Sequence, residues 1–292
     1  MRRRRIRYKK LFFSLLCLIL LLVGIGWGVH QAYLHFTENR TRENGQTDYY
    51  LFLGVGKEPA DEVDAIWLMA YNRKLNEIHV IALPGSTRVS NENEPLILLK
   101  NEYKDGHAEK TISSVENLLH IRISHYAVFD ETSFTEMMGK LGNIEFYVEK
   151  NMNHSNREGV TDIKLRQGVQ YLDGPSSYGY LRYAENPEDE IGRIQRNQRF
   201  LKTLISVQKN NLPYYNRIMI QRGWTPSETD ISAADAGVLA SEVTKMPAEN
   251  IHFMILPGKA KTPDGIRIWD INPVELQSAI GAVLGQAQPT AK

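Results

Sequence analysis

Residues 180–200 read YLRYAENPEDEIGRIQRNQRF and carry the pattern of an amphipathic helix. Four apolar residues in or just after this stretch recur at helical spacing: Ile191, Ile194, Leu201 and Ile205. One face of the helix is therefore expected to pack on a core. Asn186 followed by Pro187 and a run of acids is the order typical of a helix start, so the helix is predicted to begin there. Gln198 interrupts the apolar face, and a buried amide requires hydrogen-bond partners.

The polar faces of the same stretch hold an arginine cluster. Its members are Arg182, Arg193, Arg196 and Arg199, and they flank an acidic turn with Glu185, Glu188, Asp189 and Glu190. A guanidinium group offers a planar fork of donors that matches phosphate oxygens, and it stays charged near neutral pH. Two interpretations follow from the residues alone. The cluster fits a pyrophosphate cradle beside a metal-binding acid, and it also fits the solvated face of a packed helix.

Outside this stretch, short apolar runs alternate with segments of helical periodicity. Strands are predicted at residues 49–55, 65–70, 78–83, 125–129, 144–148, 165–169 and 251–256. Helices are predicted at residues 112–119, 133–141, 174–181, 233–245 and 273–284, and a polar loop at residues 151–162. Such alternation predicts an α/β fold, in which a central mixed β-sheet is flanked by helices.

The N-terminus predicts a membrane anchor. Residues 1–10 contain seven of the 35 basic residues of the chain and no acid, and residues 11–29 contain no charge. That apolar length suffices to cross a bilayer as one helix, and the preceding cations orient the N-terminus toward the cytoplasm. A cleaved signal peptide has the same polarity, but its apolar core is shorter and ends in a small-residue site. An uncleaved, single-pass membrane anchor is therefore predicted.

The rest of the chain is expected to lie outside that membrane. Its segments are a juxtamembrane stalk at residues 30–48, an extracellular domain at 49–284 and a disordered tail at 285–292.

The charge and cysteine content of the chain exclude several classes of site. Without the basic arm, the chain has 28 basic (35 − 7) and 34 acidic residues, a balance of −6, which argues against a nucleic-acid binder. The one cysteine, Cys17, excludes a disulfide within one chain and a zinc–thiolate site. Ser86, at the junction of a predicted strand and a loop, is by position a candidate catalytic nucleophile. Nothing in the sequence pattern pairs it with a base, so that role is not expected.

Five ordered blocks resemble the LytR-CpsA-Psr family of bacterial cell-envelope proteins. They are YLFLGVG from residue 50, VDAIWLMAYNRKLNEIHVIALPGSTRV from 63, SVENLLHIRISHYAVFDETSF from 114, QGVQYLDGPSSYGYLRYAENPEDEIGRIQRNQRFL from 167 and MPAENIHFMILPGKAKTPDGIRIWDINPVEL from 246. The resemblance implies transfer of teichoic acid, capsule or a similar glycopolymer from a polyprenyl-pyrophosphate carrier to peptidoglycan. It implies an apolar pocket for the lipid, arginines for the pyrophosphate and a Mg²⁺ ion. Other envelope-assembly proteins are further expected partners.

The resemblance also implies the site residues. The phosphate-binding residues are expected to be Arg88, Arg182, Arg193 and Arg196, with Gln198 as a supporting polar residue. Asp64 and Glu190 are expected to be the metal ligands. The chain departs from the family pattern at several positions of that site. Gly56 stands where the family has a metal-binding Asp, and Gly85 and Ser86 replace an Arg-Asp pair. Ala184 replaces the partner of Arg182.

These departures leave two hypotheses about catalysis. One missing charge-assisted contact costs a transition state about 2–4 kcal/mol, so several lower the rate by orders of magnitude. The chain is either a transferase that works through its remaining arginines or a non-catalytic binding protein, scaffold or regulator of envelope assembly. A ten-residue cytoplasmic arm is too short for a helix-turn-helix, so direct control of transcription is not expected.

Overall fold

The computed structural model describes residues 47–56, 63–90, 95–104, 106–156, 158–186, 189–281 and 283. The predicted arm, anchor and most of the stalk lie outside these residues, as does the predicted C-terminal tail. Within the described residues, none of the helices has both the length and the apolar composition that a bilayer crossing requires.

Runs of strands and runs of helices follow one another along the chain. The strands are β1 (Thr47–Val55), β2 (Val63–Asn72), β3 (Glu77–Leu83), β4 (His125–Phe129), β5 (Ile144–Val148), β6 (Met152–Ser155), β7 (Thr161–Leu165), β8 (Gly168–Leu172), β9 (Glu228–Thr229), β10 (Ile251–Ile255), β11 (Lys259–Lys261) and β12 (Ile268–Asp270). The helices are α1 (Glu109–Leu119), α2 (Glu131–Leu141), α3 (Gly174–Arg182), α4 (Glu190–Lys209), α5 (Pro213–Gly223), α6 (Ala233–Lys245) and α7 (Pro273–Gly281).

A six-stranded sheet in the order β10-β3-β2-β1-β4-β9 forms the centre of the fold. Strands β1, β2 and β3 form an antiparallel meander, whereas β4 and β10 run parallel to β1 and β3. Because both orientations occur, the sheet is mixed, and the predicted fold class is confirmed. At one edge of the sheet, β1, β3, β4 and β10 all end where β2 begins.

Both faces of this sheet are buried, because apolar side chains occupy both alternating sets of positions. In β1, Leu51 and Leu53 pack with Val115 of α1. Tyr50, directly before Leu51, belongs to the opposite layer, which includes Ala236 of α6. The sheet therefore carries helices on both sides.

A third apolar cluster joins the smaller strand pairs to α2, α3 and α4. Strands β5 and β8 form one pair and β6 and β7 another, and Phe146, Ile163, Tyr180 and Phe200 are buried between them and the helices. The loop predicted at residues 151–162 is wrong, because all of β6 and the first two residues of β7 lie in it. The strand predicted at 165–169 spans the turn between β7 and β8. Polar residues fill the exposed face of the β6–β7 hairpin, so the hydrophobic signal there is weak.

Two helix predictions also need correction. Helix α4 begins at Glu190 with Asp189 at its N-cap position, rather than at Pro187. Helix α5 covers residues where no element was predicted, and Pro213 occupies its first turn. Only two of the eleven residues of α5 are buried, which gives it little apolar periodicity.

Candidate functional site

An apolar cavity of about 350 Å³ lies between the central sheet and helices α2, α3 and α4. Most of the lining is apolar, and its residues come from the strands of the sheet and from the segments packed on it. They are Phe52, Leu53, Val55, Trp67, Met69, Val80, Phe129, Phe134, Met137, Leu181, Leu201, Ile205, Trp224 and Phe253. The polar side chains in the lining are fewer: Asp64, Tyr178, Arg182 and Asn197. Asp64 lies near the start of β2, at the sheet edge where four other strands end.

Two of the predicted arginines converge on Asp64. Arg182 is the last residue of α3, and its Nε lies 3.6 Å from Asp64 Oδ2. Arg193, in the first turn of α4, places Nη1 3.5 Å from Asp64 Oδ1. The side chains of Arg182 and Arg193 are 27% and 18% exposed, so both reach solvent. Arg182 lines the cavity itself, and Arg193 contacts it through Asp64. The Arg182 guanidinium also lies 5.4 Å from the centre of the Tyr178 ring, which holds it at the cavity.

Glu190 connects α4 to the loop that follows β3. Its Oε1 accepts a hydrogen bond of 3.1 Å from the Ser86 backbone N–H, and its Oε2 accepts one from the Ser86 hydroxyl. The structure thus supplies the carboxylate partner for Ser86 that sequence reasoning missed. The two residues are 104 positions apart, and no local pattern reports such a pairing. The contact fixes the loop after β3 against the first turn of α4, which also contains Arg193.

Arg196 and Arg88 are placed differently from the two arginines at Asp64. Arg196 is buried, its Nη1 donates to Asp189 Oδ2 at 2.9 Å, and its Nη2 donates to the Tyr183 carbonyl oxygen. Arg88 donates from Nε to the Ser90 carbonyl oxygen at 3.1 Å and does not line the cavity. The structure therefore brings together Asp64, Arg182 and Arg193 but not the full predicted set. Phosphate binding by any of these arginines stays a prediction.

The two amides after Arg196 pack α4 against its surroundings. Gln198 donates from Nε2 to the Met254 carbonyl oxygen of β10 at 3.0 Å, which supplies the buried partner that its position requires. Asn197 lines the cavity and is buried. In the amide orientation that satisfies both of its polar atoms, Asn197 Nδ2 donates to the carbonyl oxygens of Leu181 and Arg193, both at 3.1 Å. Asn197 thereby ties the end of α3 to the start of α4.

The two glycines that replace family site residues lie at the same place. A Cβ atom at Gly56 would lie 2.6 Å from Asp64 Oδ2. A Cβ atom at Gly85 would lie 2.9 Å from the Lys100 Cβ and 3.5 Å from Glu190 Oε1. The positions that lack an acid and an arginine are therefore next to the two remaining carboxylates.

These donors do not by themselves form a magnesium site. Mg²⁺ requires an octahedron of oxygen ligands that includes available carboxylates. Asp64 faces two guanidinium groups, and both oxygens of Glu190 accept hydrogen bonds from Ser86. Magnesium binding by this chain stays a prediction of the family resemblance.

Comparison with known proteins identifies the family. The model of the LytR_cpsA_psr family matches residues 35–282. The chain belongs to the LytR-CpsA-Psr family. A curated relative, the regulatory protein MsrR of Staphylococcus aureus (strain COL), is 26% identical over 166 residues, which cover 53% of this chain and 47% of MsrR. Polyisoprenyl-teichoic acid–peptidoglycan teichoic acid transferase TagV of Bacillus subtilis (strain 168) is 23% identical over 164 residues, 53% of this chain and 42% of TagV.

Solved structures of similar proteins share the fold of this LytR-CpsA-Psr protein. The crystal structure of B. subtilis TagV matches with a TM-score of 0.70 at 18% identity, over 84% of this chain and 99% of that one. The structure of TagT bound to LI-WTA matches with a TM-score of 0.64 at 21% identity, over 82% and 91%. The matched region spans less than half the length of the two curated relatives.

Proposed function

We propose that this chain binds a glycopolymer linked to a polyprenyl phosphate or pyrophosphate and takes part in attaching it to peptidoglycan. The lipid chain occupies the apolar cavity, and the phosphate groups contact Arg182 and Arg193. The chain acts as a single-pass protein of a bacterial cell membrane, with this domain on the extracellular side. The observation that carries the proposal is an apolar cavity whose lining includes Asp64, the carboxylate on which Arg182 and Arg193 converge. The name of the relative TagV, a polyisoprenyl–teichoic acid transferase, supports it.

Arg182 and Arg193 are placed so that a pyrophosphate can replace the Asp64 carboxylate as their anionic partner. Both arginine–Asp64 distances, 3.5 and 3.6 Å, exceed those of direct charge-assisted hydrogen bonds. A pyrophosphate brings more negative charge and more acceptor oxygens than one carboxylate. Both guanidinium groups are therefore expected to turn from Asp64 to the ligand, while burial of the prenyl chain supplies about 25 cal/mol per Å² of apolar surface.

Two activities remain candidates for this site. A transferase would use Arg182 and Arg193 to neutralise charge on the oxygens around the breaking phosphoanhydride bond. A non-catalytic scaffold or regulator would bind the carrier without breaking it. The replacements at Gly56 and Gly85 and the pairing of Glu190 with Ser86 favour binding, because they leave the site with fewer charges for catalysis.

Binding is tested with full-length protein in detergent and a polyprenyl pyrophosphate as the probe. The variant Arg182→Ala/Arg193→Ala is expected to lower affinity by at least about 100-fold, since charge-assisted hydrogen bonds contribute about 1.5–3 kcal/mol each. The control Arg122→Ala/Arg166→Ala removes the same charge from exposed positions and is expected to bind like the parent. Equal affinity in both double variants, or no binding by the parent, contradicts the proposal.

Transfer is tested separately, by release of polyprenyl phosphate from a labelled glycopolymer carrier in the presence of peptidoglycan and Mg²⁺. Release that requires Arg182 and Arg193 identifies a transferase. Tight binding without release, when an intact family member releases product under the same conditions, identifies a scaffold or regulator.

A further inference from the structure

A cluster of metal-ligating side chains lies on the sheet face opposite the cavity. Val80 of β3 and Phe253 of β10 line the cavity. Because side chains alternate along a strand, His79 and His252 project from the other face of the same two strands. Glu77 lies two residues before His79 in β3 and shares that face.

The strand register sets the two histidines side by side. His79 pairs with His252 in the parallel ladder between β3 and β10. Their rings stack with centroids 4.7 Å apart and planes 24° apart. The Oε2 atom of Glu77 lies 3.9 Å from His79 Nε2. One ligand atom from each of the three residues lies within 4.8 Å of the other two.

The backbone around the cluster is fixed independently of these side chains. Asn76, directly before Glu77, adopts a left-handed conformation with φ of 53° in the tight turn between β2 and β3. Asn250, directly before β10, donates from Nδ2 to the Asn76 carbonyl oxygen at 2.9 Å. The starts of β3 and β10 are therefore tied together, so the cluster is largely in place before any ligand binds.

The chemistry of the three donors selects a class of metal. We propose that Glu77, His79 and His252 bind a divalent transition-metal ion of the zinc class. Two imidazoles and one carboxylate suit Zn²⁺, whereas Mg²⁺ prefers oxygen ligands alone. His79 is half-buried, and its ring stacks on that of exposed His252. Small side-chain rotations bring the three atoms to bonding distance, and exposed His252 leaves the remaining positions to water.

The metal clamps the edge strand β10 to β3. The residues that follow His252 face the ligand cavity and α4: Phe253 lines the cavity, and the Met254 carbonyl oxygen accepts the Gln198 amide. Metal binding on one face of β10 therefore stabilises the cavity wall on the other face. This role is separate from anion binding at Arg182 and Arg193 and does not depend on it.

The test uses full-length protein purified without a polyhistidine tag, treated with chelator and titrated with ZnCl2 by calorimetry. The parent is expected to bind one equivalent and to unfold at a higher temperature with zinc. His79→Gln/His252→Gln is expected to bind at least about 100-fold more weakly, beyond what an outer-shell partner contributes. His125→Gln/His154→Gln is the control, because both histidines are exposed, each pairs with an aspartate and neither belongs to the cluster.

CoCl2 provides a spectroscopic readout, since protein-bound cobalt absorbs visible light in a manner that depends on its ligands. The spectrum is expected with the parent and the control and not with the cluster variant. His252→Gln alone, at an exposed position, repeats the test if the double variant folds poorly. The absence of saturable zinc binding by the parent, or equal binding by the parent and the cluster variants, overturns the proposal.

Discussion

Single residues decide the charge of the candidate site. Asp64 is the one carboxylate of the described residues that faces both Arg182 and Arg193, while Glu190 is bonded to Ser86. Gly56 lies next to Asp64, and its φ is not in the left-handed range. A side chain at position 56 is therefore compatible with the backbone, provided that the end of the Asp64 side chain rotates.

Gly56→Asp is expected to create magnesium binding. The second carboxylate adds an oxygen donor beside Asp64, and the mutual repulsion of the two acids is relieved by a divalent cation. MgCl2 should therefore raise the unfolding temperature of Gly56→Asp more than that of the parent, as followed by circular dichroism. Gly56→Asn is the uncharged control of similar size. A magnesium effect as large in Gly56→Asn as in Gly56→Asp contradicts the assignment of this position.

The sequence predicted the convergent part of the site but not its internal pairs. Asp64, Arg182 and Arg193 follow from the family resemblance, and the structure brings them together. The Ser86–Glu190 pair was not predicted, since its partners are far apart in the chain. Nor was the burial of Arg196 against Asp189, because a helical pattern shows which residues share a face but not which cation is enclosed.

Among the elements, α4 connects the parts of the molecule. Phe200 packs into the cluster with α2 and α3, Leu201 and Ile205 line the cavity, and Gln198 bonds to β10. Its apolar periodicity identified it from sequence. Its start differs from the prediction because Asp189, not Asn186, takes the N-cap position.

Leu201→Trp is expected to distinguish the lipid chain from the phosphate groups as sources of affinity. The larger ring occupies part of the 350 Å³ cavity, so affinity for a long polyprenyl pyrophosphate should fall by more than about tenfold. Affinity for inorganic pyrophosphate should stay unchanged, because Arg182 and Arg193 are untouched. Isothermal titration with both ligands checks this, with Ser206→Trp on an exposed position of α4 as the control. Equal losses for both ligands would show that the cavity does not hold the lipid.

At the scale of the whole molecule, buried phenols connect the fold to alkaline stability. Burial is the largest cause that raises the pKa of Tyr50, Tyr178 and Tyr180 to about 12. Tyr50 belongs to one face of the sheet, Tyr178 lines the cavity and Tyr180 lies in the cluster with α4. The three phenols therefore report on different regions of one structure.

The free energy of unfolding is expected to fall as pH rises from about 10 to 12. In that range the unfolded chain loses phenol protons that the folded state retains, so rising pH favours unfolding. Urea unfolding at a series of pH values, with phenolate absorbance recorded in parallel, measures the effect. Tyr178→Phe should flatten the slope, since its hydroxyl has no hydrogen-bond partner among the described residues. A stability that is constant up to pH 12 contradicts the burial of these phenols.

The position of β10 has a consequence for how the chain folds during synthesis. Strands β1, β2 and β3 are consecutive and can pair as soon as they emerge, because their contacts are local. Strand β10 pairs with β3 only after β4 to β9 have been made. Until then β3 presents an open edge, the kind of surface through which nascent chains aggregate. Docking of β10 is therefore expected to be the late, slow step of folding, and the stage at which a chaperone would be most useful.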